Sequence, residues 1–315
     1  MFSFIRKYLP VIFYSFHKKI IDLRIAAIDI GSNAARLLIT HIIEGIGHAP
    51  EFNKIDLVRV PLRLGFDVFE NGVISERRTT MILETMKAYS HLLKVYEVDH
   101  LKACATSAMR DAINGEEIIK KVKEETGIEI EIISGDLEAS IIYETHVAEN
   151  MSMNNSYLYI DVGGGSTEIN LFAEGKLVFK KSFNIGTIRL LKNLVTDKTW
   201  DDMKDTIKAK TKGHKKIIAI GTGGNINKVF SISKKKDGKP LELNLLRDYY
   251  KEFSGFSVKD RIRLYKFRED RADVIVPALL IYINVMRWAD ADDILVPKIG
   301  LVDGLVQHLY SELRK

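Results

Sequence analysis

The chain has 315 residues, 46% of them hydrophobic and 28% charged, with a formal net charge of +5. That is ordinary globular composition, long enough for two domains and a sizeable core, and the modest charge suits a polyanionic ligand without demanding one. The single cysteine, Cys104, excludes an intramolecular disulfide and fits a reducing compartment; the eight histidines are scattered without metal-ligand spacing.

Residues 1–24 carry a basic flank and a short apolar run that holds Pro10 and is followed by His17-Lys18-Lys19. The run lacks a small-residue cleavage site and is too short to span a membrane, so it reads as an amphipathic or poorly ordered N-terminal extension. No later segment reads as transmembrane, and a cytoplasmic protein is expected. Next comes "IAAIDIGSNAARLLIT" (25–40), two apolar runs around a Gly turn, which is a hairpin signal. A third strand-like stretch follows at Leu57–Leu64, then a helix at about 75–97 opened by Ser75. "LKACATSAMRDA" supplies a strand, a polar loop and a helix, with Cys104 read as a small core residue. The alternation Ile128–Ile133 is a strand, broken by Ser134-Gly135-Asp136, and Glu138 opens the helix after it.

The pattern then repeats. "YLYIDVGGGSTEINLF" (157–172) is a second hairpin in which Ile160-Asp161-Val162-Gly163 lines up with Ile28-Asp29-Ile30-Gly31. "KLVFKKSFNIGTIRLL" is again an alternating strand ending at a Gly, a helix is expected at about 199–212, and "KKIIAIGTGGNINKVF" again gives strand, polar loop and helix. Two β-β-β-α-β-α units indicate an α/β protein whose facing loops share one cleft. The domains are expected at 25–140 and 141–300, with a C-terminal helix at about 301–315 packing back on the first.

The loops suggest phosphate chemistry. Gly163, Gly164 and Gly165 expose backbone N–H groups, Ser32, Asn33, Ser166 and Thr167 add neutral donors, and Gly221-Thr222-Gly223-Gly224-Asn225 enters a helix whose N-terminal dipole favours anions. Gly31 completes the first loop. Any one of these is equally a tight turn; three in equivalent places describe a phosphate cradle. Asp29 and Asp161, at the ends of the first strands, would repel a phosphate unless a cation such as Mg²⁺ lay between. Asp29 is also open to a turn-capping role. Glu138 can take a proton from water or simply complement a helix dipole. Arg110 can clamp a phosphate or make a surface ion pair. The runs Lys215-Lys216 and Lys234-Lys235-Lys236 read as solvated loop charge.

Together "AIDIGSN", "ATSAMRDA", "EIISGDLEA", "YIDVGGGSTEI", "NIGTIRL", "IGTGGN" and "RADVIVPALLI" resemble the exopolyphosphatase / guanosine pentaphosphate phosphohydrolase (Ppx/GppA) family, within the actin–hexokinase–Hsp70-like superfamily. The resemblance runs from about Ile25 to the C-terminus. It implies two tandem ribonuclease H-like domains, with mixed sheets flanked by helices and an interdomain cleft. It also implies removal of a terminal phosphate from polyphosphate or guanosine pentaphosphate by Mg²⁺-assisted attack of water, with Mn²⁺ as the other candidate ion. By this resemblance Glu138 is the general base, Asp161 and Glu168 are linked to the metal, Arg110 is the clamp, and Gly31-Ser32-Asn33, Gly163–Thr167 and Gly221–Asn225 are the phosphate loops. Ala34 stands where many members have Ser, and Pro297 and Val302 stand where Ser and Arg are common. Longer members carry extra helical domains that grip long chains and dimerise. No nucleic-acid partner and no stable membrane insertion are expected, and a homodimer is allowed. Two rival readings stay open: an ATP-dependent kinase or ATPase of the same superfamily, and a non-catalytic sensor of polyphosphate or an alarmone.

Overall fold

The computed structural model describes residues 21–45, 48–146, 154–214, 216–297 and 300–314. Strands β1 (Ile21–Ile30), β2 (Ala35–Glu44) and β3 (Glu51–Val60) form an antiparallel meander. Helices α1 (Gly65–Asn71) and α2 (Glu76–Val95) lead to β4 (His100–Ala105), which pairs parallel with β1. Helices α3 (Ser107–Asp111) and α4 (Gly115–Thr126) lead to β5 (Ile130–Ile132), giving the order β3-β2-β1-β4-β5.

Helix α5 (Gly135–His146) then crosses to the second lobe. There β6 (Ser156–Val162), β7 (Thr167–Ala173) and β8 (Lys176–Phe183) repeat the meander. After α6 (Thr187–Leu191) and α7 (Asp197–Thr211), β9 (Ile217–Thr222) pairs parallel with β6 as β4 does with β1. Helix α8 (Gly224–Ser233), β10 (Leu241–Glu242), α9 (Leu243–Ser254), α10 (Val258–Tyr265), α11 (Glu269–Ala272), α12 (Ile275–Trp288) and β11 (Asp293–Leu295) complete a sheet of order β10-β11-β9-β6-β7-β8. Helix α13 (Leu301–Leu313) returns to the first lobe.

The period-two pattern of β1 explains the layering. Ala26, Ile28 and Ile30 face α2 and α4, packing with Ile82, Met86 and Val122. Ile25 and Ala27 face the other way, onto Leu301, Leu305 and Tyr310 of α13, with Cys104 buried among them. Tyr310 donates its hydroxyl to Glu44, which also accepts from Arg314 at 2.7 Å, tying α13 to the end of β2. A sheet covered on both faces needs apolar residues in near-continuous runs, which is how β1 reads.

The third strand lies at Glu51–Val60, not at the expected Leu57–Leu64. Pro61 follows Val60 and has no N–H for the ladder, and the buried Leu62 and Leu64 belong to the turn into α1. Of the expected extension, residues 1–20 lie outside the described residues, and 21–24 open β1, with Asp22 opposite Ile43. The expected boundary at 140/141 falls inside α5. Among the described residues no helix is long and apolar enough to cross a membrane.

Leu305 is fully buried under the first sheet. Leu305→Ala should lower stability by about 3 kcal/mol in chemical denaturation. A loss below about 1 kcal/mol would show that α13 does not pack on this sheet as described.

Candidate active site

The two hairpin turns are built alike. The Gly31 N–H donates to the Ala34 carbonyl (3.0 Å), and the Gly163 N–H donates to the Ser166 carbonyl (2.9 Å). Strand register extends the equivalence across each sheet. In the first lobe Asp29 stands beside Cys104 on one side and Arg36 on the other, and Arg36 stands beside Arg59. In the second lobe Asp161 stands between Thr222 and Glu168, and Glu168 stands beside Ser182. The same row of the repeated sheet therefore carries two arginines in one lobe and an acid and a hydroxyl in the other.

Helix α5 lies between these rows. The Ser134 hydroxyl accepts from the Leu137 N–H (3.1 Å) and fixes the first turn, in which Glu138 sits. Gly135 permits the close approach, because a Cβ there would lie 2.8 Å from Ser182 Cβ. The third loop faces Asp161. Gly223 has φ +99°, a left-handed value that favours glycine, and a Cβ on it would lie 2.9 Å from Asp161 Oδ1. The buried Tyr282 hydroxyl holds this loop by donating to the Thr222 carbonyl (2.5 Å).

A cleft of about 520 Å³ opens between the lobes. Of the residues expected to bind phosphate, Gly31, Ser32, Asn33, Gly163, Gly164, Ser166, Gly223, Gly224 and Asn225 line it, as do Asp29, Glu138 and Asp161. The others stand behind its wall. Gly165 is a close-approach position, where a Cβ would lie 2.4 Å from Phe69 Cζ. The Thr167 hydroxyl donates to the Ile185 carbonyl (2.5 Å) and is fully buried. Gly221 packs against Ile226 and Ile294, and Thr222 supports the loop through its carbonyl. Arg110 donates to the Ile133 carbonyl (2.8 Å), so its guanidinium is held in the first lobe near Glu138. Glu168 is buried and accepts from Ser182 Oγ (2.8 Å).

Burial of a cluster of acids governs the electrostatics. Burial pushes Glu138 well above the usual carboxylate range, with Glu168, Asp161 and Asp29 adding repulsion and Arg110 opposing it. Burial likewise raises Asp161 to about 6, against the pull of Arg36. It raises Glu168 to about 7, reinforced by Asp161 and opposed by hydrogen bonds from Ser166 and Ser182 and by Arg110. Asp29 is raised by burial and pulled back by Arg36, whose Nη1 lies 2.7 Å from its Oδ2. Glu138 Oε2 and the side-chain amide oxygens of Asn33 and Asn227 are enclosed without a hydrogen-bond partner. Unmatched polar atoms gathered at one cleft are what a polar ligand would satisfy.

Sequence reasoning missed most of the cations. Arg36, Lys54, Arg59, Lys228, Lys266, Arg268 and Arg271 line the cleft from three separate segments of the chain. Arg271 is pushed down to about 10 by burial and by Arg59 and Arg36, with Asp270 opposing. Arg36 and Arg59 could have been found from strand alternation, since both fall in register with Asp29; the α10–α11 cations come together only in the fold.

Buried acids at the floor, backbone N–H groups around them and a cationic wall make a cleft with the chemistry of an anion site, in an α/β protein of two repeated lobes. The model of the Ppx/GppA phosphatase family matches residues 47–313, and the chain belongs to that family. It is 30% identical over 299 residues to the bifunctional 3-dehydroquinate synthase/phosphatase of Fusobacterium nucleatum, covering 86% of this chain but 44% of that protein. It is 24% identical over 304 residues to exopolyphosphatase 1 of Mycobacterium tuberculosis, covering 90% of this chain and 87% of that one. The crystal structure of the Aquifex aeolicus Ppx/GppA family member superposes with a TM-score of 0.71 at 25% identity, over 93% of this chain and 99% of that one. The architecture is thus the actin-like one, with two mixed sheets flanked by helices.

Acids whose folded pKa is raised bind protons more tightly when folded, so they stabilise the fold at low pH and lose that contribution as pH rises. With Asp161 at about 6 and Glu168 at about 7, the affected window runs from their ordinary values near 4 up to 7. The cation-free protein should lose stability as pH is raised from 5 to 7, by about 1.4 kcal/mol per pH unit for each group that is ionised unfolded and still protonated folded. Glu168→Gln should flatten the thermal midpoint against pH, and an unchanged slope in that variant would contradict the assignment.

Proposed function

We propose that the chain is a phosphoanhydride hydrolase that releases terminal orthophosphate from inorganic polyphosphate, or the terminal 5′-phosphate of guanosine pentaphosphate. The observation that carries this reading is Glu138: a carboxylate at the cleft wall, with an enclosed and unpartnered Oε2, beside loops of bare backbone donors. A pure binding domain gains nothing from a free carboxylate facing an anion. A base that must take a proton from water needs one.

In this reading the terminal phosphoryl group sits against the Gly31–Asn33, Gly163–Ser166 and Gly223–Asn225 loops. The N–H groups of these loops other than those of Gly31 and Gly163, which close the turns, hold its equatorial oxygens together with the Ser32 and Ser166 hydroxyls. The rest of the anion runs along the cationic wall formed by Arg36, Arg59 and Arg271. Glu138 accepts a proton from a water in line with the terminal phosphorus. The water oxygen bonds to phosphorus, the bridging P–O bond breaks, and the electron pair stays on the shortened chain, whose charge the arginines carry. Positioning and electrostatics supply most of the acceleration in such transfers.

The acids at the floor fit a divalent cation, Mg²⁺ or Mn²⁺. Asp161 faces the cleft, Glu168 lies beside it in the next strand, and Asp29 shares its carboxylate with Arg36. Among the described residues no three His, Cys, Asp or Glu side chains form a ready-made metal cage. A cation shared between one or two carboxylates and substrate phosphates needs none. When bound, it would neutralise phosphate charge and relieve the repulsion among these acids.

Glu138→Gln keeps the shape and removes the base. It should lower kcat for orthophosphate release from polyphosphate by about 10²- to 10⁴-fold while leaving polyphosphate affinity within a few-fold. A variant retaining most of its turnover would sink the assignment.

A further inference from the structure

Arg59 belongs to the cleft wall, yet it is already engaged. Its Nη2 lies 2.5 Å from Oδ2 of Asp270, an α11 residue of the other lobe that is only 5% exposed, in an ion pair that lacks hydrogen-bond alignment and leaves that buried Oδ2 without a hydrogen-bond partner. The Arg59 Nε and Nη1 are enclosed without a partner. The backbone carbonyl of Asp270 accepts from Asn33 Nδ2 (2.9 Å), so α11 also touches the first phosphate loop. Arg261 braces α11 from behind, donating to the Phe253 carbonyl (2.7 Å) and the Ala272 carbonyl (2.8 Å). Asp273, just past α11, pairs with Arg63, which does not line the cleft.

Register sets where Arg59 lies. It is two strands out from Asp29 along one row of the sheet, roughly 9.5 Å at ordinary strand spacing. An anion confined to the loops near Asp29 does not reach it. A chain of phosphates continuing along the wall does, and there it meets a guanidinium that already holds a carboxylate.

We propose that Asp270 is a specificity-determining residue, a resident carboxylate on Arg59 that weakens binding of anions long enough to reach the outer end of the cleft and leaves short anions unaffected. This rests on the cleft being the polyanion site. Two anions cannot share one side of Arg59 without repulsion, so a long ligand must either displace Asp270 or forgo that contact. Displacement also removes a contact between the lobes, which links occupancy of the outer cleft to their separation.

The test measures binding of orthophosphate and of linear polyphosphate by calorimetry, without divalent cation and at fixed salt, to wild type, Asp270→Asn and Asp273→Asn. Asp270→Asn should bind polyphosphate about three- to tenfold more tightly, the span of a weak to moderate ion pair. Orthophosphate affinity should stay within about twofold, and Asp273→Asn should change neither beyond that. Unchanged or weaker polyphosphate binding in Asp270→Asn, or equal tightening of orthophosphate, overturns the proposal. Should the asparagine variant not fold, Asp270→Ser is read by the same criteria. A wild-type chain that binds no polyphosphate overturns the polyanion reading of the cleft and this inference with it; normal wild-type binding with no tightening in the variant overturns this inference alone.

Discussion

Acids buried together at the floor of the cleft are the constraint that the other features of the site answer. Burial raises the proton affinity of Asp29, Asp161, Glu168 and Glu138, and repulsion adds to it on Glu138 (from Glu168, Asp161 and Asp29), on Asp161 (from Asp29) and on Glu168 (from Asp161). Such a group of like charges persists only where something offsets it. In the first lobe the offset is an ion pair within the protein, the Arg36 guanidinium on Asp29 at 2.7 Å. In the second it comes from neutral hydroxyls, Ser166 and Ser182 on Glu168 and Thr222 on Asp161, with the pull of Arg110. The imbalance leaves the second lobe suited to a cation and the first to an anion, and a phosphate with a divalent ion carries both.

The duplication explains how this arose from one scaffold. Both lobes place an acid at the end of the first strand, before a Gly turn closed by the same backbone hydrogen bond. What differs is the neighbouring row: Arg36 and Arg59 against Glu168 and Ser182. Because β-strand side chains alternate, these residues must share a face with the acids beside them. The two lobes therefore differ along one row of each sheet while the cores beneath, with Ile28 and Leu37 in one lobe and Ile160 and Ile169 in the other, share an apolar pattern.

Much of the architecture was legible because hairpins and strand–loop–helix units announce themselves locally. "IDIGSN" and "IDVGGG" gave both turns, and the "ISGDLE" stretch placed Glu138 at a strand-to-helix junction. The third strand was misplaced because its alternation continues into Leu62 and Leu64, and only Pro61 marks where the ladder ends. Gly165, Thr167 and Gly221 read as ligand groups because glycine and threonine in a loop look alike whether they approach a ligand or a neighbouring side chain. The cationic wall was the largest omission. Arg59 on an edge strand and Arg271 beyond α10 are isolated charges in sequence and neighbours only after the lobes meet. Membership of a phosphatase family weighs against the kinase and sensor readings that the motifs alone left open.

The central claim is that water, activated at Glu138, attacks the terminal phosphorus. Hydrolysis of polyphosphate in ¹⁸O-enriched water, followed by mass analysis of the released orthophosphate and of the shortened chain under single-turnover conditions, tests it directly. The account predicts one solvent oxygen in the released orthophosphate and none in the chain. Label at the new chain end would place the attack on the penultimate phosphorus, and phosphate release that requires an acceptor alcohol would replace hydrolysis with transfer; either result would contradict the account.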